Sequence, residues 1–102
     1  MAEGASIRLD RFLWFARIAK TRSAAQAIAE KGTLRLDGRR IERAAAPVRV
    51  GCILVFPLYG QVRALRVEAL PSRRGPPAEA ATLYTPLEIQ RPNPVDGIES
   101  GA

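Results

Sequence analysis

The sequence predicts an α+β module: two N-terminal helices, joined at a helix–turn–helix corner, packed on a small, mostly antiparallel sheet. Three observations carry that reading. Apolar residues recur at helical spacing from Leu9 to Ile28, the mark of an amphipathic helix. After Gly32 the pattern changes to strict alternation, the period of a half-buried strand. A tight-turn signal at Asp-Gly and two further strand-like runs with a short connection then follow. The chain's 102 residues fit one domain near the lower comfortable size for a self-sufficient core. With 47% apolar and 25% charged residues, its composition is that of a folded protein.

Residues 1–6 read as a short mobile lead, with Ser6 as candidate cap of the first helix. From Arg8 to about Ala19, Leu9, Phe12, Leu13, Ala16 and Ala19 share one wide apolar face, and Arg8, Arg11 and Arg17 lie off it. Trp14, Phe15 and Ile18 fall partly outside that face, so this helix needs cover on more than one side. Asp10 sits in the first turn, where a carboxylate suits the helix dipole, within reach of Arg17 or Trp14. Thr21 is the natural N-cap of a second helix, Arg22–Lys31, and Gly32 its stop. Its alanines permit close helix–helix approach, with Ala24, Ala25 and Ile28 inward.

In "TLRLDGRRIE", Leu34 and Leu36 face one way and Thr33 and Arg35 the other, and Asp37-Gly38 makes the tight turn. "CILVFP" and "QVRALRVEAL" are two further strands joined at Leu58-Tyr59-Gly60. Residues 7–70 therefore form the domain. Residues 71–85 are a Pro/Gly linker ending in a short helix over Ala78–Leu83, and residues 86–102 a disordered acidic tail.

The chain carries 16 Lys and Arg against 10 Asp and Glu, a net charge of +6. From Arg8 to Arg49 there are 11 cations and 4 anions, whereas residues 76–102 hold one arginine and four acids. Positive charge concentrated in one half points to a localised polyanion surface. Fourteen of the cations are arginines, whose guanidinium bonds phosphate bidentately. Catalysis is nearly excluded. There is no histidine, the commonest general base and metal ligand, no Gly-rich phosphate loop, and no evident carboxylate pair. No cofactor and no metal are expected. The single Cys52 reads as a buried, inert thiol in a reducing compartment. No stretch approaches the roughly 18 apolar residues of a membrane span, so a cytoplasmic location and no membrane partner are expected.

"RIAKTRS" sets Arg17, Lys20, Thr21 and Arg22 across the corner, where the second helix offers free N–H groups to an anion. Arg39 and Arg40 at the hairpin tip would face the same side and complete a groove for a nucleic-acid backbone. Lys31 and Arg35 are weaker members of the set. Trp14 reads as partly buried core. Neither it nor Tyr59 nor Tyr84 reads as a base-stacking platform.

With these residues in view, "RLDRFLWFARIAKTRSAAQAIAEKGTLRLDGRRI" resembles the ribosomal-protein-S-four-type RNA-binding domain and its αL motif. The matching frame is Arg8-Leu9-Asp10-Arg11, Leu13, Arg17, Thr21-Arg22, Ala25, Ile28, Gly32 and Leu34–Gly38. Trp14, Lys20-Thr21-Arg22 and "RRGPPAEAATLY" are further similar to the bacterial fifteen-kilodalton heat-shock protein family. That resemblance implies a non-catalytic protein binding ribosomal RNA on the large subunit, in recycling of stalled subunits that still carry a nascent chain, with tRNA of the stalled complex as a further partner. Binding is expected through Arg8, Arg11, Arg17, Lys20, Thr21, Arg22, Gln26, Lys31, Arg35, Arg39 and Arg40, with a monomer as the default state. The sequence departs from the family at Cys52, in Glu42–Ala46, and in an acidic segment where the family often continues as a long basic helix. Two alternatives stay open: an accessory RNA-binding subunit of an RNA-modifying enzyme, and a general DNA-binding module.

Overall fold

A computed structural model describes residues 5–88. In chain order the elements are β1 (Ile7–Arg8), α1 (Leu9–Phe15), α2 (Arg22–Glu30), β2 (Leu34–Leu36), β3 (Arg39–Ile41), β4 (Pro47–Val48), β5 (Ile53–Leu58), β6 (Gln61–Val67), α3 (Pro77–Ala80) with a 3-10 turn at Ala81–Leu83, and β7 (Tyr84–Leu87). Five strands form one sheet in the order β3-β2-β5-β6-β7, and β1 pairs with β4. Every pairing is antiparallel. The α+β class expected from the sequence is the class observed.

The first helix differs from expectation at both ends. Its start is set by backbone rather than by Ser6: Ile7 and Arg8 pair with Val48 and Pro47. The first helical N–H groups then donate to the carbonyls of Ala46 (2.9 Å) and Ala44 (3.1 Å). At its other end α1 stops at Phe15 rather than running to Ala19. Arg17 adopts φ 60°, its N–H donates to the Trp14 carbonyl, and the Ile18 N–H donates to that of Leu13. This is a Schellman stop, with arginine where glycine is usual. Buried Ile18 and Leu13 supply its apolar contact, so the apolar spacing that seemed to prolong the helix belongs to the motif ending it.

Thr21 caps α2 as expected, its Oγ1 accepting the Ala24 N–H at 3.0 Å. Ala25 and Ala29 are fully buried, while Ala24 and Ile28 are only partly so. At Asp37 (φ 53°) and Gly38 (φ 86°) the chain makes a two-residue turn of the mirror-image type that suits strand twist. Asp37 also ties this tip to β5: its N–H donates to the Ile53 carbonyl, and its Oδ1 accepts the Ile53 N–H, both at 2.8 Å.

Between β6 and β7 the chain leaves the sheet and returns. The excursion is pinned at its base by the Glu68 N–H donating to the Leu83 carbonyl at 2.8 Å. On its return Pro86 and Leu87 pair with Leu65 and Ala64, so β7 takes in the first two residues of the segment expected as tail. The rest of that segment beyond Glu88 lies outside the described residues, as does the lead up to Gly4. The core comprises Phe12, Phe56, Leu9, Leu13, Leu34, Leu54, Leu65, Val48 and Val67, all fully buried. Among the described residues no polar or charged residue is buried, which leaves the cations at the surface for a ligand.

Candidate nucleic-acid interface

One groove collects Arg8, Arg11 and Arg22 of the expected cations. Arg8 from β1, Asp10 and Arg11 from the start of α1, Trp14 and Phe15 from its end, and Arg22 from the start of α2 line an open cleft of ≈ 350 Å³. Arg8 Nε and Nη2 donate to the two Asp10 carboxylate oxygens at 3.0 and 3.1 Å. Burial alone would raise the Asp10 pKa, but the hydrogen bond and charge of Arg8, helped by Arg11, hold it below the ordinary value. The same hydrogen bond raises the Arg8 pKa. Asp10 thus takes Arg8 as its partner, not Arg17 or Trp14, and offsets its charge. Among the described residues Arg11 and Arg22 have no carboxylate partner.

The wall of this groove is reinforced from far along the chain. The guanidinium carbons of Arg22 and Arg74 lie 5.4 and 5.3 Å from the centroid of the Trp14 ring, within cation–π range. Arg74 Nη1 donates to the Trp14 carbonyl at 3.2 Å, where a cation also suits the C-terminal end of α1. Arg17 Nε donates to the Gly75 carbonyl at 2.6 Å, and Arg73 pairs with Glu79 at 2.8 Å. The segment expected as a linker is therefore a brace. It engages Arg17 from within the molecule and holds Trp14 beside Arg22. Sequence reasoning missed Arg74 and this role of Trp14. The available signals were the off-face position of the indole and the paired arginines of "SRRG".

The remaining candidates do not join this groove. Lys20 Nζ is 6.0 Å from the Tyr59 ring centroid, and Lys31 and Tyr59 line a second groove of ≈ 270 Å³. Arg39 lines a third, with Arg43 and Arg49. In the β2–β3 register Leu36 faces Arg39 while Arg35 faces Arg40, so Arg39 and Arg40 leave the hairpin on opposite faces. This corrects the expectation that both project towards the helical corner. Arg40 pairs instead with Glu42 at 3.0 Å. Gln26 is exposed and donates to Glu30 at 3.4 Å. The cap also takes up a donor expected for an anion: the Thr21 hydroxyl accepts the Ala24 N–H group. Cys52 is buried. Burial pushes its thiol pKa up, against the opposing hydrogen bond from the Arg49 N–H at 3.4 Å.

A short helix stopped by a Schellman turn, a capped second helix and a tight hairpin, with cations around the corner, make up a small helix–turn–helix and hairpin module. Residues 7–53 match the S4 domain family. Beyond that domain type, the chain is homologous to heat shock protein 15 of bacteria. It is 35% identical over 82 residues to the heat shock protein 15 homolog of Haemophilus influenzae, covering 80% of this chain and 62% of that protein. To heat shock protein 15 of Escherichia coli K12 it is 35% identical over 78 residues, covering 76% and 58%. The trimeric structure of Vibrio cholerae heat shock protein 15 superposes with a TM-score of 0.75 at 29% identity, covering 81% of this chain and 83% of that one. The chain spans less than two thirds of the length of the curated relatives it matches. Arg73, Arg74 and Gly75 lie outside the S4 match.

Proposed function

We propose that this protein is a non-catalytic, cytoplasmic RNA-binding protein that docks on folded ribosomal RNA of the large subunit and acts in recycling stalled subunits that still carry a nascent chain on tRNA. The observation that carries the RNA-binding reading is the juxtaposition of Arg11 and Arg22, without carboxylate partners among the described residues, across a groove beside the braced Trp14. Two guanidinium groups on one cleft suit consecutive phosphates, each accepting paired N–H bonds. Such contacts fix position on a nucleic acid without reading bases, and folded RNA is recognised largely in this way, by backbone shape and 2′-hydroxyls. The S4 match and the homology with heat shock protein 15 support RNA over DNA. A monomer is the simplest binding unit. Because a relative is trimeric, light scattering of the purified protein, free and with RNA, is part of the test.

The deciding experiment is sedimentation of the protein with dissociated ribosomal subunits through a sucrose gradient. Co-migration with the free large subunit is expected. Migration with the small subunit, or retention at the top of the gradient, would contradict the proposed partner.

A further inference from the structure

The second groove contains a residue that the fold would not choose. Tyr59 occupies the first position of the two-residue turn between β5 and β6, where Leu58 pairs with Gln61. Its φ is 53°, in the left-handed region where turns of this type take Asn, Asp or Gly. A bulky side chain there is strained, and such outliers cluster at functional sites. The ring gains little from packing, since Tyr59 is 74% exposed. The only two lysines of the chain, Lys20 and Lys31, both stand beside it. Lys20 Nζ lies 6.0 Å from the ring centroid, and Lys31 and Ile28 of α2 line the same groove as Tyr59. An exposed aromatic face flanked by flexible point charges is the arrangement that binds unpaired nucleotides: the base stacks, and the cations follow the backbone.

Resting on the RNA-binding reading, and against the sequence expectation that Tyr59 is no stacking platform, we propose that it is one for an unpaired base of the bound RNA, with Lys20 and Lys31 holding the flanking phosphates. The S4-type corner then grips folded RNA at the Arg11–Arg22 groove, while the β5–β6 turn selects RNA that has an unpaired nucleotide nearby. This adds a preference for unpaired nucleotides that backbone contacts alone do not give.

The test measures full-length protein binding, at fixed salt, to two RNA probes: a fully paired duplex and the same duplex with a single-stranded overhang. Tyr59→Gly removes the ring and suits the positive φ, so the variant keeps its fold, checked by its melting temperature. Tyr59→Phe keeps the stacking face. Expected are overhang-RNA affinity about 5- to 150-fold weaker for Tyr59→Gly, the range of one lost base stack, unchanged duplex affinity, and near-complete retention by Tyr59→Phe. A Tyr59→Gly variant that binds the overhang RNA as tightly as wild type would overturn the platform while leaving the RNA-binding reading intact. Loss of ribosomal-subunit association without loss of affinity for either RNA would also overturn it, assigning the turn to a protein contact. Failure of the wild type to bind either RNA would overturn both readings.

Discussion

The guanidinium of Arg74 lies 5.3 Å from the centre of the Trp14 indole, and its Nη1 donates to the Trp14 carbonyl at 3.2 Å. One side chain therefore fixes both the ring and the backbone at the end of α1, and the ring in turn lies against Arg22. A cation–π contact contributes about 0.5–2 kcal/mol and the hydrogen bond about 1 kcal/mol. Arg74→Ala is expected to lower unfolding stability by about 1–3 kcal/mol in urea titrations. It should shift the emission of the sole tryptophan and weaken RNA binding, although Arg74 does not line the groove.

The Thr21 cap is tested by heat. Thr21→Ala leaves the Ala24 N–H without its acceptor and should cost about 0.5–2 kcal/mol, read as a lower melting temperature. Thr21→Ser, which keeps the oxygen, should remain close to wild type.

Asp10 gives stability and affinity opposite signs. Its folded pKa is held below the ordinary value, so its ion pair stabilises the fold above the unfolded carboxylate pKa, about 3.9. That contribution is lost as pH falls through the lower folded value. Asp10→Asn should therefore lose less stability than wild type on acidification through this window. At neutral pH the same variant removes the charge offsetting Arg8, so its RNA affinity should rise and its salt dependence steepen. Unchanged affinity would place the Arg8 pair outside the binding surface.

Cys52 reports on the fold. Burial raises its pKa, so the thiol form stabilises the native state below the unfolded pKa of about 8.5, and this contribution is lost as pH rises through the folded value. Alkylation at neutral pH should be slow in the native protein and become fast on unfolding. Rapid native labelling would contradict the packing of this residue.

Elements fixed by a local rule were legible in the sequence. The Thr21 cap, the Asp37-Gly38 turn, the alternation of β2 and the strand runs of β5 and β6 each depend on residues a few positions apart. The end of α1 was not, because Arg17 takes a left-handed conformation usually given to glycine, while Ile18 continues the helical apolar spacing. The Arg39–Arg40 pair was misplaced because adjacent strand residues face opposite ways, which becomes decisive once the turn length fixes the register. Among the site residues, Arg8, Arg11 and Arg22 line one groove, whereas Lys20 and the hairpin arginines expected beside Arg22 do not. The bond between Arg17 and Gly75 joins positions far apart in the chain, and nothing local to the first helix announces it.

RNA binding is centred on the groove lined by Arg11 and Arg22 in the proposed function. Its direct test is RNA affinity as a function of salt for wild type and for the double variant Arg11→Ala, Arg22→Ala. Each phosphate contact contributes roughly 0.7–0.9 to the slope of log affinity against log salt. The expected result is a weaker complex with a slope shallower by about 1.5, in a variant that remains folded. An unchanged slope and affinity in that folded variant would contradict RNA binding at this groove.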